Sequence, residues 1–419
     1  MIETVLGVDL GSNSARAVAL DRDGTVVASA SGGYPGAGLW PDGWADPEGW
    51  LSGVVEAITR VGVTPVAICV GGQSPTTVPA DGGMAVTVRH PAGVTGSPTE
   101  QHYAQREVLG VDRVLQVYDW LMGRLGAPAC QSRWPGDPTM EHYGPRAETG
   151  EVVGRTDGSH GLPEGIPLVA GAQDAYMAFW AGGLDVPGRA LDPGGRTGGL
   201  AVAIERTGAG TDLYALRSPA AGVDIVGGPV SGHGLMLEWL AGLTGRTVPE
   251  LLKLAEQVPP GADGVLLLPY LEGERAPRWN RDLRAEITGL GSAHGPGHLA
   301  RAALEGAAYG LRHIAASLPI PMDVMVVAGS PATSPLWCQI KADVLEVPVE
   351  VPAETGLAAY GSALAAGAGA GWWPAPGEAE GGSWPRPAVT VVEPSPKAVY
   401  REAYERFVAL GDAAEQRLS

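Results

Sequence analysis

The chain has 419 residues, 45% apolar and 18% charged, with 63 Gly and 36 Pro, which excludes a disordered chain and reads as a globular α/β protein rich in tight loops. Its 46 acidic and 28 basic residues leave a net charge of −18, so the summed field repels nucleic acid and anionic membrane surfaces. Two domains of about 200 residues each are expected from the length.

Cys69, Cys130 and Cys338 are isolated and lack CxxC spacing, which argues against a disulfide framework or a zinc site and favours a reducing, cytoplasmic setting. No window is apolar enough to span a bilayer, and the first residues lack the pattern of a signal peptide, so a soluble, untargeted protein is expected.

The opening stretch GVDLGSNSARAVALDRDG, Gly7 to Gly24, admits two readings. In one, Val5, Leu6 and Val8 lead into a plain β-hairpin and Ala17 to Leu20 lead out. In the other, Gly11 lets a phosphate approach the backbone, Ser12 and Ser14 add donors, and Asp9 faces a magnesium ion. Residues 46–60, DPEGWLSGVVEAITR, read as a helix capped by Asp46, with Pro47 first and Trp50, Leu51, Val54, Val55 and Ile58 on its core face. Val66 to Val70 read as a buried strand, and residues 79–99 as irregular.

Leu168 to Ala170 read as a strand, Gly171 to Gln173 as a turn, and Asp174 to about Ala181 as a helix. ALDPGGRTGGLAVAIE then echoes the opening: Asp192, Gly194 and Thr197 fall where Asp9, Gly11 and Ser14 fell. Such an echo suggests two related domains whose turns face across a cleft and grip one polyphosphate. Further on, Val265 to Leu268 read as a strand, about His298 to Leu318 as a helix, and Val324 to Val327 as a strand. A helix follows, capped by Ser334, with Pro335 first and Leu336, Ile340 and Val344 inside. Val347 to Val351 read as a strand and Leu357 to about Ala366 as a helix. A Gly/Pro/Trp-rich surface excursion to about Pro387 and a helical tail from about Lys397 to Leu418 complete the chain.

LPYLEGERAPRWN followed by RAALEGAAYGLR is the most specific stretch. With GVDLGSNSARA, GLPEGIPLVAGAQDA, DPGGRTGGLAV and SPLWCQIKADVLEVPVEVP in order, the sequence resembles the FGGY family of carbohydrate kinases over nearly all of its length. The resemblance implies an α/β fold of two actin-like (ribonuclease H-like) domains, each a mixed β-sheet flanked by helices, with an interdomain cleft. It puts the substrate side at residues 1–184 and the nucleotide side at residues 185–419. It also implies ATP and Mg²⁺ as cofactors, and phosphorylation of a hydroxyl of a small sugar, ketose or polyol. Relatives of this kind are commonly dimers, so a homodimer is an expectation resting on the resemblance alone. The DxGSNS turn is also similar to that of exopolyphosphatases, a likeness that ends after the first hairpin.

By this resemblance Asp174 is the catalytic base that accepts the substrate hydroxyl's proton; its bland alternative is an N-cap aspartate. Asp9 contacts magnesium, while Gly11, Ser12 and Asn13 donate to phosphate oxygens. Gly194, Gly195, Thr197 and Gly198 form a second phosphate loop, in which Arg196 departs from the family's small hydroxyl residue and either binds the γ-phosphate or weakens catalysis. Gly329, Ser330, Pro331 and Ala332 stand at the family's adenosine loop in diluted form, and Gln73, Ser74 and Pro75 match a segment lining the sugar site. The Trp-x-Asp-x-Arg-like stretch that normally follows is replaced by AVTVRHPAGVTG. Val88, Arg89 and His90 stand near its places, so the acidic acceptor for sugar hydroxyls is lost, and the chain is short for the family around residues 90–115. These departures keep two other readings open: a catalytically weak, regulatory sugar- or nucleotide-binding relative, and a polyphosphate or nucleotide phosphohydrolase.

Overall fold

The computed structural model describes residues 2–34, 42–87, 89–91, 98–135, 145–196, 198–206, 213–318, 321–395 and 397–418. Val88 and Thr197 therefore lie outside the described residues. The chain forms two units. Unit 1 comprises Met1–Asp185, Arg217–Val223 and Gly356–Pro387; unit 2 comprises Val186–Leu216, Asp224–Thr355 and Ala388–Ser419. The expected division into the continuous spans 1–184 and 185–419 is thus corrected.

Unit 1 begins with β1 (Val5–Leu10), β2 (Ser14–Leu20) and β3 (Val26–Gly33), an antiparallel meander. Helix α1 (Pro47–Val61) starts where Asp46 accepts the Glu48 N–H at 3.0 Å and ends at Gly62, whose φ of 71° only glycine adopts freely. Its Trp50, Leu51, Val54 and Ile58 are buried, and Val55 is half-buried. Strand β4 (Ile68–Gly72) begins two residues later than the apolar run suggests and pairs parallel with β1. Within residues 79–99, read as irregular, Ala85–Val86 pairs with Thr77 and with Trp44–Ala45. Helix α2 (Pro98–Leu109) opens at the end of that span, and α3 (Val117–Arg124) follows. Strands β5 (Val152–Arg155) and β6 (Pro167–Val169) and helix α4 (Asp174–Ala181) complete this stretch. The sheet order is β5-β6-β4-β1-β2-β3, with β6, β4 and β1 parallel.

Unit 2 carries β7 (Arg189–Asp192), β8 (Gly199–Glu205), β9 (Tyr214–Arg217) and β10 (Val223–Pro229). Helices α5 (His233–Thr244), α6 (Val248–Ala255) and α7 (Pro296–Ala316) follow, then β11 (Val324–Val327), α8 (Pro335–Leu345) and β12 (Val349–Pro352). The Ser334 hydroxyl caps α8 by accepting the Trp337 N–H. The chain then returns to unit 1 as α9 (Leu357–Gly369), before β13 (Val389–Val392) and α10 (Ala398–Gln416) complete unit 2. The second sheet runs β9-β10-β8-β7-β11-β12-β13, with β7, β11 and β12 parallel. In each sheet an antiparallel hairpin precedes parallel strands, and Asp9 and Asp192 occupy matching places near the ends of β1 and β7, which agrees with the echo in the sequence.

Glycine explains why α9 belongs to unit 1. A Cβ on Gly7 would lie 2.0 Å from the Ala363 nitrogen, and one on Gly361 would lie 2.0 Å from the Met177 oxygen. Only bare backbone lets α9 seat this closely on β1 and α4. The Gly/Pro/Trp-rich segment that follows is anchored rather than loose. Trp384 is buried edge-on to Trp180 at 5.6 Å, and its Nε1 donates to the Pro374 oxygen at 2.7 Å.

Candidate functional site

The carboxyl ends of parallel strands are where α/β sheets leave backbone groups for ligands. In unit 1 three such ends are stitched together: the Gln73 N–H donates to the Leu10 oxygen at 3.1 Å, and the Gly72 N–H donates to the Ala172 oxygen at 3.3 Å. Asp9, Gln73 and Asp174 thereby converge at the carboxyl ends of these three neighbouring strands. Asp9 lies opposite Arg16 in the β1–β2 register, and its buried Oδ1 has no hydrogen-bond partner among the described residues. Burial, and then the charge of Asp174, push the Asp9 carboxyl up from 3.8 to about 8, while Arg16 pulls it back.

Asp174 is the first residue of α4, and Gln173 takes the N-cap position without a side-chain bond. The N-cap alternative for Asp174 therefore does not describe its place. Burial raises its carboxyl to about 6, and the Ala175 N–H, donating to Oδ1 at 2.7 Å, opposes the shift. An acid at the start of a helix is also stabilised as an anion by the dipole.

The turn between β1 and β2 is closed by the Gly11 N–H donating to the Ser14 oxygen at 3.2 Å, and the Tyr34 hydroxyl donates to the Gly11 oxygen at 2.9 Å. Ser12 and Asn13 are exposed at its tip. The stretch is thus a hairpin whose tip is open to a ligand, so the two sequence readings are compatible. Beside it, the Ser74 hydroxyl donates to Gln116 Oε1 at 3.2 Å, and the Gln105 amide donates to the Pro75 oxygen at 3.1 Å. Behind them, His102 Nδ1 lies 2.7 Å from Thr77 Oγ1 and 2.9 Å from Gln116 Nε2. Burial and Arg106 lower His102 to about 4, which keeps this network neutral. Gln73 Nε2 and Thr76 Oγ1 are buried without a hydrogen-bond partner among the described residues. Arg89 is exposed, and His90 lies edge-on to Trp44 at 5.6 Å.

In unit 2, Gly194, Gly195 and Gly198 have φ of 70°, 87° and 69°. The Gly194 N–H donates to Asp192 Oδ1 at 2.9 Å, while the Gly234 and Leu235 N–H groups at the start of α5 donate to the oxygens of Gly195 and Arg196 at 3.2 and 3.0 Å. Because a trans peptide points its C=O and N–H in opposite directions, the Arg196 N–H faces away from α5. The Arg196 guanidinium is held by Glu238 at 2.9 Å. Gly329 and Ser330 border this turn: a Cβ on Gly329 would meet the Pro193 oxygen at 3.1 Å. Ser330 is exposed, whereas Pro331 and Ala332 are buried beneath it.

Sequence reasoning missed Tyr34, His102, Gln116, His233, Glu238 and Lys341. It also drew the inner face of α8 too narrowly. Trp337 and Lys341 are fully buried there, while Leu336 is only half-buried. The available signal was the position of Lys341, four residues after Trp337 and between the inward-facing Ile340 and Val344.

Residues 225–370 match the FGGY family of carbohydrate kinases, C-terminal domain. A gluconokinase of Bacillus licheniformis is 40% identical over 144 residues, which cover 30% of this chain and 28% of that protein. A glycerol kinase of Nitratidesulfovibrio vulgaris is 30% identical over 295 residues, covering 67% of this chain and 56% of that protein. The chain thus spans less than two thirds of these curated relatives. A xylulose kinase of Rhodospirillum rubrum has a similar structure, with a TM-score of 0.77, 25% identity and 99% of each chain covered. A xylulose kinase of Lactobacillus acidophilus shares the fold with a TM-score of 0.80 and 19% identity, covering 100% of both chains. The two-domain actin-like architecture is therefore that of this chain.

Proposed function

We propose, from the membership of residues 225–370 in the FGGY family of carbohydrate kinases, that the chain transfers the γ-phosphoryl group of ATP to a hydroxyl of a small sugar or polyol. The observation that carries this reading is the convergence of Asp9 and Asp174 at the carboxyl end of the first sheet, beside an exposed turn. Asp174 accepts the substrate hydroxyl's proton as the new O–P bond forms and the bridging oxygen leaves with ADP; burial raises its carboxyl above the ordinary carboxylate range, which makes it a more basic proton acceptor for that step.

Asp9 suits a magnesium ion: its buried Oδ1 has no hydrogen-bond partner among the described residues, a second carboxylate is close by, and Mg²⁺ takes only one or two carboxylates besides phosphate oxygens and water. Such an ion neutralises phosphate charge when bound. Gly11, Ser12 and Asn13 contact phosphate oxygens. The second turn, with Gly194, Gly195, Arg196, Thr197 and Gly198, binds the nucleotide phosphates, next to Gly329 and Ser330. Pro331 and Ala332 support that turn from below. Gln73, with its buried amide, and Ser74 and Pro75 line the acceptor side.

The test is ADP release from ATP and Mg²⁺ with a panel of aldoses, ketoses, sugar acids and polyols. Release dependent on one class supports the reading. Binding without turnover would favour a regulatory relative, and acceptor-independent phosphate release would favour a phosphohydrolase.

A further inference from the structure

Asp9 and Asp192 hold matching places in the two sheets, yet their surroundings differ. Asp192 is fully buried, and both of its carboxylate oxygens are engaged. Oδ1 accepts the Gly194 N–H, which sets the turn, while Oδ2 accepts from Lys341 Nζ at 2.5 Å and from His233 Nε2 at 3.2 Å. Its backbone oxygen accepts the Ala328 N–H at 2.9 Å, so one residue ties both bordering turns together. Lys341 is also fully buried, with its ammonium 4.5 Å from the centre of the Trp337 ring. The His233 ring lies directly under the turn, where a Cβ on Gly198 would meet it at 2.4 Å.

The arrangement answers a problem of charge. An Asx bond from Asp192 is what holds the Gly194 turn, but a carboxylate at the foot of an anion-binding turn repels the anion, most strongly in a dry interior. Burial alone would push Asp192 up; the Lys341 ammonium, followed by His233, holds it well below its ordinary value, so the charge persists and needs a counter-charge. We propose that Lys341 is an electrostatic positioning residue of the second turn: it cancels the Asp192 carboxylate from behind, so that the turn offers N–H groups to a polyphosphate with no net negative charge beneath them.

This inference rests on the reading of that turn as a nucleotide-phosphate site, and the test separates the two. ATP, ADP and adenosine are bound to the full chain at equilibrium, as wild type, K341M and D192N, each checked for folding by its melting curve. If the wild type binds none of the three, the phosphate-site reading itself is overturned. If it binds, K341M uncovers the Asp192 charge and weakens ATP by about tenfold, ADP by less and adenosine not at all. D192N keeps an oxygen for the Gly194 N–H but leaves the ammonium uncancelled, so it shifts affinity the opposite way in the same order of ligands. Should K341M fail to fold, D192N alone still reads the sign, and D192N/K341M returns the wild-type order. A change equal for all three ligands, or none for ATP, is what a merely structural pair would give and overturns the proposal.

Discussion

The charge of Asp174 helps hold the Asp9 carboxyl at about 8, so the two acids of unit 1 titrate as a pair. Replacing Asp174 with Asn removes that repulsion and lowers the Asp9 value. A pH titration of the carboxyl carbons by NMR reads the shift directly, and an unmoved Asp9 signal would mean that the two groups do not sense each other.

Close packing of α9 on β1 gives a second expectation. A methyl group on Gly7 has nowhere to go, because the nearest atoms at 2.0 and 2.2 Å are backbone. Gly7→Ala therefore destabilises the chain by about 1–3 kcal/mol or more. A melting temperature equal to that of the wild type would show that β1 and α9 are further apart than described.

His102 supplies a pH dependence. Its folded value is lowered from 6.5 to about 4, so between those values the unfolded chain binds more protons than the folded one. Stability from this residue is full above about 6.5 and is lost as pH falls towards 4, an effect on the order of 3 kcal/mol. Melting curves of wild type and His102→Gln across that range should converge as the pH drops. Parallel curves would contradict the assignment.

Arg196 and Glu238 form an ion pair whose side chains are 54% and 50% exposed, a setting in which such pairs contribute about 0–1 kcal/mol. Arg196→Ala should leave the melting temperature nearly unchanged while raising the KM for ATP several-fold. Unchanged KM would mean that the guanidinium serves only the surface.

Local signals were the legible ones. Asp46 and Ser334 cap their helices as their types and positions predict, and Val324–Val327 is the strand that its apolar run indicates. The hairpin echo between Asp9 and Asp192 was also readable, because it is a repeated order of residue types. What Asp192 does was not, since that depends on Lys341 and His233, which are distant from it in sequence and meet it only in the fold. The return of α9 to unit 1 was hidden for a similar reason: Leu357, Tyr360 and Leu364 recur at helical spacing and mark a helix, but that spacing does not name the unit it packs on. The short strand at Ala85–Val86 has too few residues to show alternation.

The most direct test of the account is acceptor-dependent phosphoryl transfer by wild type and Asp174→Asn, followed as the phosphorylated product by mass spectrometry. The account predicts a loss of at least about 100-fold in kcat for the variant, with nucleotide affinity retained. Full turnover by a folded Asp174→Asn protein would contradict it.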